Sequence, residues 1–120
     1  MSQATIVLNA LAERLASIAP VRMGLAAGET TSATLPVITI WSLSEALAAN
    51  QDYDAPMYTR RAALELKIVA TEQFHVTLDD LLLAIRELLT ADLRISSTTF
   101  LPPADNGDSA ILQVTFEFDY

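Results

Sequence analysis

The last ten residues of the chain alternate apolar and polar side chains almost without a break. One face of this segment carries Leu112, Val114, Phe116, Phe118 and Tyr120, and the other carries Gln113, Thr115, Glu117 and Asp119. A period of two residues predicts a half-buried β-strand, which must pair with a strand earlier in the chain. Because its outer face is polar and acidic, the sheet is expected to cover one side of a core and to show the other side to water or to a partner.

Two segments have the period of an amphipathic helix. Over residues 3–18 apolar side chains recur at steps of three and four, and Pro20 follows them. Over residues 78–93 leucines and Ile85 repeat in the same way. Thr77 is the predicted N-cap of this second helix, since acidic residues follow it where the helix dipole favours them.

The remaining segments predict strands and loops. Further strands are predicted at 35–43, 59–71 and 95–101, with a short strand possible at 21–23. Mobile loops are predicted at 22–34 and 44–58, with one helical turn at 45–49 suggested by a capping box that starts at Ser42. The predicted fold is a single α+β domain over residues 1–120, in which two amphipathic helices pack on one face of a mostly antiparallel sheet.

Composition limits the class of protein. The charged fraction is 18% against 52% hydrophobic residues, which favours a subunit that buries surface on a partner. The net charge of −8 argues against nucleic-acid binding, although it allows a channel wall past which DNA slides. The absence of cysteine excludes disulfides, thiolate zinc sites and a cysteine nucleophile. No apolar run approaches the roughly 20 residues that span a bilayer, and no secretory signal is evident.

Catalytic and ligand-binding patterns are weak. His75 is the single histidine, and no serine or threonine nearby is marked as a nucleophile, so a solvated loop histidine is favoured over a catalytic base. The segment 105–108 superficially resembles a calcium loop, but it lacks the spacing of the full motif and is interpreted as a tight turn. The glycines form no phosphate-binding pattern. We expect no enzyme activity, no metal and no cofactor.

Several residues are candidates for contact with a partner. Arg60 and Arg61 open a strand and either bind a partner's carboxylate or are solvated. Trp41 is interpreted as a core residue, with an interface anchor as the alternative. The acidic pair Asp52 and Asp54 belongs either to a solvated loop or to an interface rim. The full set of candidate interface residues is Glu29, Trp41, Asp52, Tyr53, Asp54, Arg60, Arg61, Glu117 and Asp119.

The order of these elements resembles a known family. A helix leads to the proline-led strand Leu35-Pro36-Val37-Ile38-Thr39-Ile40, and a long polar loop leads to Thr59-Arg60-Arg61-Ala62-Ala63-Leu64-Glu65-Leu66-Lys67-Ile68. A leucine-rich helix ending near Ala91-Asp92 and a terminal strand ending in Phe118-Asp119-Tyr120 complete the pattern. Over nearly the whole chain this is similar to the tail terminator (minor tail protein U) family of long-tailed bacteriophages.

The resemblance implies a structural role in the virion. Such proteins form a ring, usually a hexamer, on the head-proximal end of the tail tube, stop its polymerisation and join it to head-completion or neck proteins. The partners implied are further copies of the chain, the tail tube protein and a neck protein, in a virion assembled in the host cytoplasm. DNA would pass an acidic lumen without specific binding, and no membrane is involved. The alternatives are another neck or tail-completion protein, or a small monomeric protein-binding module.

Overall fold

Two helices and five strands follow one another along the chain. The computed structural model describes residues 2–23, 35–48, 57–89, 92–103 and 109–120. The elements are α1 (Gln3–Leu15), β1 (Val21–Met23), β2 (Val37–Leu47), β3 (Tyr58–Val69), α2 (Phe74–Leu88), β4 (Arg94–Leu101) and β5 (Ser109–Asp119).

The five strands form one sheet in the order β1-β2-β3-β5-β4. The three pairs β2–β3, β3–β5 and β5–β4 are antiparallel, and only the three-residue β1 runs parallel to its neighbour β2. The predicted α+β fold with a mostly antiparallel sheet is therefore confirmed. The predicted closing strand lies inside this sheet, between β3 and β4, and so both of its edges are hydrogen-bonded.

A single hydrophobic cluster joins the sheet to both helices. The apolar face of the closing strand is buried as predicted, with Leu112, Val114, Phe116 and Phe118 at most 1% exposed. The same cluster contains the buried residues of both helices and the even-numbered residues 62–68 of β3. The helix residues are Ala4, Leu8, Leu11 and Leu15 of α1 and Leu78, Leu82 and Ile85 of α2. This shared cluster supports the packing of both helices on one face of the sheet.

The helix boundaries differ from the prediction in informative ways. α1 ends at Leu15, and Ala16 is its C-cap, so the helix stops before Pro20 can interrupt it. α2 begins at Phe74, and its N-cap Gln73 makes no side-chain capping bond, so the prediction that Thr77 caps this helix is wrong. Phe74 packs against the core, which adds an apolar contact one turn before the residue that sequence marks as a cap. His75 consequently lies in the first helical turn instead of a loop.

Strands β2 and β3 stay paired as far as Leu47 and Tyr58 and form a two-stranded arm. Residues 44–47 belong to β2 and residue 58 to β3, so the predicted loop at 44–58 and the helical turn at 45–49 are wrong over these positions. A shift in register between Ser42 and Ser44 lets the pairing continue to Leu47, which lies opposite Tyr58. The molecule measures 53 × 25 × 25 Å. We call residues 42–48 and 57–61 the arm.

The rest of the predicted loops cannot be compared with the structure. β1 confirms the short strand considered at 21–23, so Arg22 and Met23 do not belong to the loop predicted at 22–34. The segments 24–34 and 49–56 lie outside the described residues.

Candidate functional site

Arg60 ties the two strands of the arm to the end of β5. Its Nε and Nη2 donate to Glu45 Oε1 at 3.0 and 2.9 Å, and its Nη1 donates to Ser42 Oγ at 3.1 Å. Nη2 also donates to the Tyr120 hydroxyl at 3.4 Å, and the guanidinium carbon lies 5.7 Å from the centre of that ring. The sequence identified Arg60 as a candidate that either binds a partner's carboxylate or is solvated. Its carboxylate partner in the structure comes from its own chain.

A second polar cluster joins three strands at the same end of the sheet. Thr59 Oγ1 of β3 donates to Asp119 Oδ1 at 2.6 Å, and Arg94 of β4 donates to the two oxygens of the same carboxylate at 3.3 and 3.5 Å. The hydrogen bond from Thr59 and then that from Arg94 lower the pKa of Asp119 below its usual value. Asp119, a predicted candidate, therefore remains an anion that is already bonded within the chain.

The face of the sheet opposite the hydrophobic cluster, which we call the outer face, has mixed charge. Glu117 lies between Arg61 on β3 and Arg94 on β4, so its nearest cross-strand neighbours are both cationic. The bases described on this face are Arg22, Arg61, Lys67 and Arg94, and the acids are Glu65, Glu117 and Asp119. The closing strand contributes only acids to this face, as predicted, but with four bases against three acids among the described residues the face as a whole is not acidic.

Trp41 also belongs to the outer face. It pairs with Ala63 of β3, is half-buried and lies outside the hydrophobic cluster. The interpretation of Trp41 as a core residue is therefore wrong, and its alternative role as an interface anchor stays a prediction. The structure brings Arg60 and Asp119 to the same end of the sheet, and Arg61 and Glu117 into direct cross-strand register. Four further candidates, Glu29, Asp52, Tyr53 and Asp54, lie outside the described residues.

An open cleft lies beside the arm and borders α1 from Ile6 to Arg14. It has a volume of about 520 Å³ and is lined by both apolar and charged residues. Its lining residues are Ile6, Val7, Ala10, Arg14, Met57, Asp92, Leu93, Arg94, Phe118 and Asp119. Sequence reasoning missed this cleft, because it is formed by segments from the two ends and the middle of the chain. One local feature marks the cleft: Ile6, a large apolar residue of α1, is exposed.

The arm exposes large apolar side chains. Leu43, Leu47 and Met57 are each about half exposed, although they belong to or border a regular strand pair. Contiguous exposed apolar surface is typical of interaction sites, which makes these three side chains candidates for contact with another protein. Sequence reasoning assigned Leu47 and Met57 to a polar loop and Leu43 to the end of a strand, and it missed all three as candidates.

Groups suited to catalysis or metal binding are not assembled in the described part of the chain. No set of three histidine or acidic residues there is placed to hold a metal ion. His75 is exposed, and its ring meets that of Phe74 edge-on, at 5.7 Å between centroids. None of the helices within the described ranges is long and apolar enough to span a membrane. The geometry at the arm suits contact with another protein surface.

Replacing Arg60 with alanine is expected to lower the free energy of unfolding by about 1 kcal/mol, because a partly buried ion pair with three further contacts is worth more than an isolated surface pair. Arg61→Ala, on the next residue of the same strand, is the matched control and should cost less than about 0.5 kcal/mol. Urea denaturation of both variants and of Glu45→Ala, combined in a double-mutant cycle, measures the coupling between Arg60 and Glu45. Equal losses for Arg60→Ala and Arg61→Ala would contradict the assigned network.

No model of a known protein family matches this chain, and no curated protein matches it either.

Proposed function

We propose that this chain is a structural subunit that assembles head to tail with copies of itself into a ring. In this proposal the ring, a hexamer, caps the head-proximal end of a phage tail tube, ends its polymerisation and joins it to the head-completion proteins. The observation that carries the proposal is the pair of strand edges, on opposite sides of the sheet, that have no partner among the described residues.

The first of these edges belongs to β2. The short β1 covers only Ile38 to Ile40, so no described residue pairs with the outer edge of β2 from Trp41 to Leu47. This uncovered stretch is the outer strand of the arm. An edge with unpaired amide and carbonyl groups is a template on which another strand can add.

The second edge belongs to β4, which pairs with β5 on its inner side and with no described residue on its outer side. Its sequence from Ile95 to Leu101 has neither proline nor a charged residue, the two devices that most often protect an edge strand. Phe100 and Leu101 are also exposed. Such an edge supports pairing with a strand from another chain.

Two different edges on opposite sides of one sheet favour a heterologous contact. If the β4 edge of one copy meets the β2 edge of the next, each copy uses one edge and offers the other, and the series either closes into a ring or continues as a filament. A closed ring pairs the uncovered β2 edge and the β4 edge of every copy and leaves neither open to further addition, as a tube cap requires. The low fraction of charged residues is consistent with a surface that is largely buried in such an assembly.

A monomeric protein-binding module is the second candidate. It would use the same exposed arm, with its apolar side chains, to bind a different protein. The two candidates predict different masses for the pure protein in solution. In the ring, the β4 edge pairs with another copy of the chain, whereas the monomeric module pairs with no copy of itself.

Thr99→Lys should weaken self-assembly about tenfold or more, since a lysine on an edge strand opposes the addition of another strand and 1.4 kcal/mol corresponds to a tenfold change. Native mass spectrometry and light scattering over a concentration series measure the effect. Val76→Lys, which places the same charge on an exposed position of α2, is the control and should assemble normally. Equal assembly of both variants would contradict a contact through β4.

The tube-capping role needs its own test. We expect that adding the protein to the tail tube protein encoded in the same genome shortens the tubes formed, and that electron microscopy shows a ring at one end only. A strict monomer at all concentrations, with no effect on tube length, would refute the proposal and favour the binding module.

A further inference from the structure

We infer that the arm of one copy binds in the cleft between α1 and β4 of the next copy, with Leu47 entering the cleft and Glu45 facing Arg14. This inference rests on the proposed self-assembly and adds to it the surfaces that meet. The occupant is a second copy of this chain, and both surfaces consist of described residues.

The arm presents an apolar side chain and a carboxylate on the same side. Glu45 and Leu47 are two residues apart on β2, so their side chains share one face of the strand. Leu47 is 55% exposed. Both bonds from Arg60 end on Oε1 of Glu45, which leaves Oε2 able to accept from a second cation.

The cleft offers the complementary groups. Ile6, Met57 and Phe118 contribute apolar walls. Of its four charged residues, Arg94 and Asp119 are bonded to each other, while the side chains of Arg14 and Asp92 form no ion pair within the described residues. Arg14 is therefore the cation in the cleft that is available to a carboxylate from outside. The volume of about 520 Å³ is within the range of roughly 300–1,000 Å³ that is typical of binding pockets.

Met57 of the same chain's arm lines the cleft, but Leu47 of that arm is not its occupant, because the arm is fixed in its own sheet. Leu47 is in register with Tyr58, and the Ala48 amide donates to the Met57 carbonyl at 3.0 Å. Leaving the sheet would break these bonds, whereas the arm of another copy can arrive with its own pairing intact.

The position of the cleft makes it continuous with the proposed edge contact. Arg94 is both a cleft residue and the first residue of β4, whose outer edge is unpaired within the described ranges. A β2 strand that added to this edge would bring the side chains on one of its faces over the cleft. Edge pairing would supply affinity, and the leucine in the cleft would supply specificity.

Cysteine cross-linking tests the contact directly, because the chain has no cysteine of its own. Leu47→Cys and Ile6→Cys variants, carrying tags of different size, are assembled together and oxidised mildly. Each chain has one thiol, so every disulfide is intermolecular. We expect a Leu47→Cys/Ile6→Cys heterodimer at least five times more abundant than that formed with Leu83→Cys, a control of similar exposure on α2 at 57% against 54% for Ile6.

A charge reversal gives an independent readout. Arg14→Glu should weaken self-assembly about tenfold, whereas Arg86→Glu on α2 should leave it unchanged, with circular dichroism checking that both variants fold. Assembly that persists with no heterodimer above the control, or with equal effects of the two reversals, would overturn this inference and leave the ring proposal standing. A protein that never self-associates would overturn both.

Discussion

Replacing Phe116 with alanine is expected to lower the free energy of unfolding by about 3–5 kcal/mol, the range for removing a fully buried phenylalanine side chain. Phe116 is 0% exposed, and its ring stacks on that of Phe118 with 6.3 Å between centroids. It lies opposite Ala62 on one neighbouring strand and Ile95 on the other, so the truncation leaves a cavity in the centre of the sheet.

The matched control for this variant is Phe100→Ala. Phe100 lies on the adjacent strand but is 45% exposed, so the same truncation should cost about 1 kcal/mol or less. Chemical denaturation of the two variants measures the difference. Because domains are stable by only about 5–15 kcal/mol, the loss at Phe116 removes a large share of the total. Comparable losses at Phe116 and Phe100 would show that the closing strand does not face the core as described.

Replacing Ile85 with alanine is expected to cost about 2–5 kcal/mol, because this side chain is 0% exposed and belongs to the cluster shared by the sheet and both helices. The control is Leu83→Ala, two residues earlier on the same helix, where the side chain faces solvent and the expected cost is below about 1 kcal/mol.

This pair of variants tests the position of α2 on the sheet. Each substitution removes a similar amount of apolar side chain and leaves alanine in the same helix. The difference between their costs in unfolding free energy therefore reports burial. Thermal unfolding monitored by circular dichroism is sufficient to rank them. If Leu83→Ala were the more destabilising, α2 would have to present the opposite face to the core.

The closing strand was the most predictable element, for a geometric reason. Successive side chains of a strand point to opposite faces, so the burial of Leu112 and Val114 follows from the alternation alone. The helical stripes were predictable on the same basis. The start of α2 was not, because residues from Thr77 onwards match a cap locally while Phe74 gains a packing contact that no local pattern contains.

The arm was not predicted because the strand conformation of its residues depends on pairing with a distant segment and not on their own preferences. Ser44, Glu45 and Ala46 have little preference for strand, and they are held in β2 by pairing with residues 59–61. The charge of the outer face escaped for a related reason. Arg61 and Glu117 are 56 residues apart, and only the register of β3 with β5 places them side by side. In the candidate site, the sequence identified Arg60 and Asp119 as candidates for polar contacts, but it did not identify the residues of the same chain to which they are bonded.

The separation of charge between the two layers restricts how a ring could be oriented. The helices and their adjoining turns carry six acids against two bases, which are Glu13, Glu72, Asp79, Asp80, Glu87 and Asp92 against Arg14 and Arg86. The outer face has one more base than acid. In the proposed ring, a lumen lined by the helices would therefore repel the phosphates of DNA, whereas a lumen lined by the sheet would lack this excess of acids and present arginines to them.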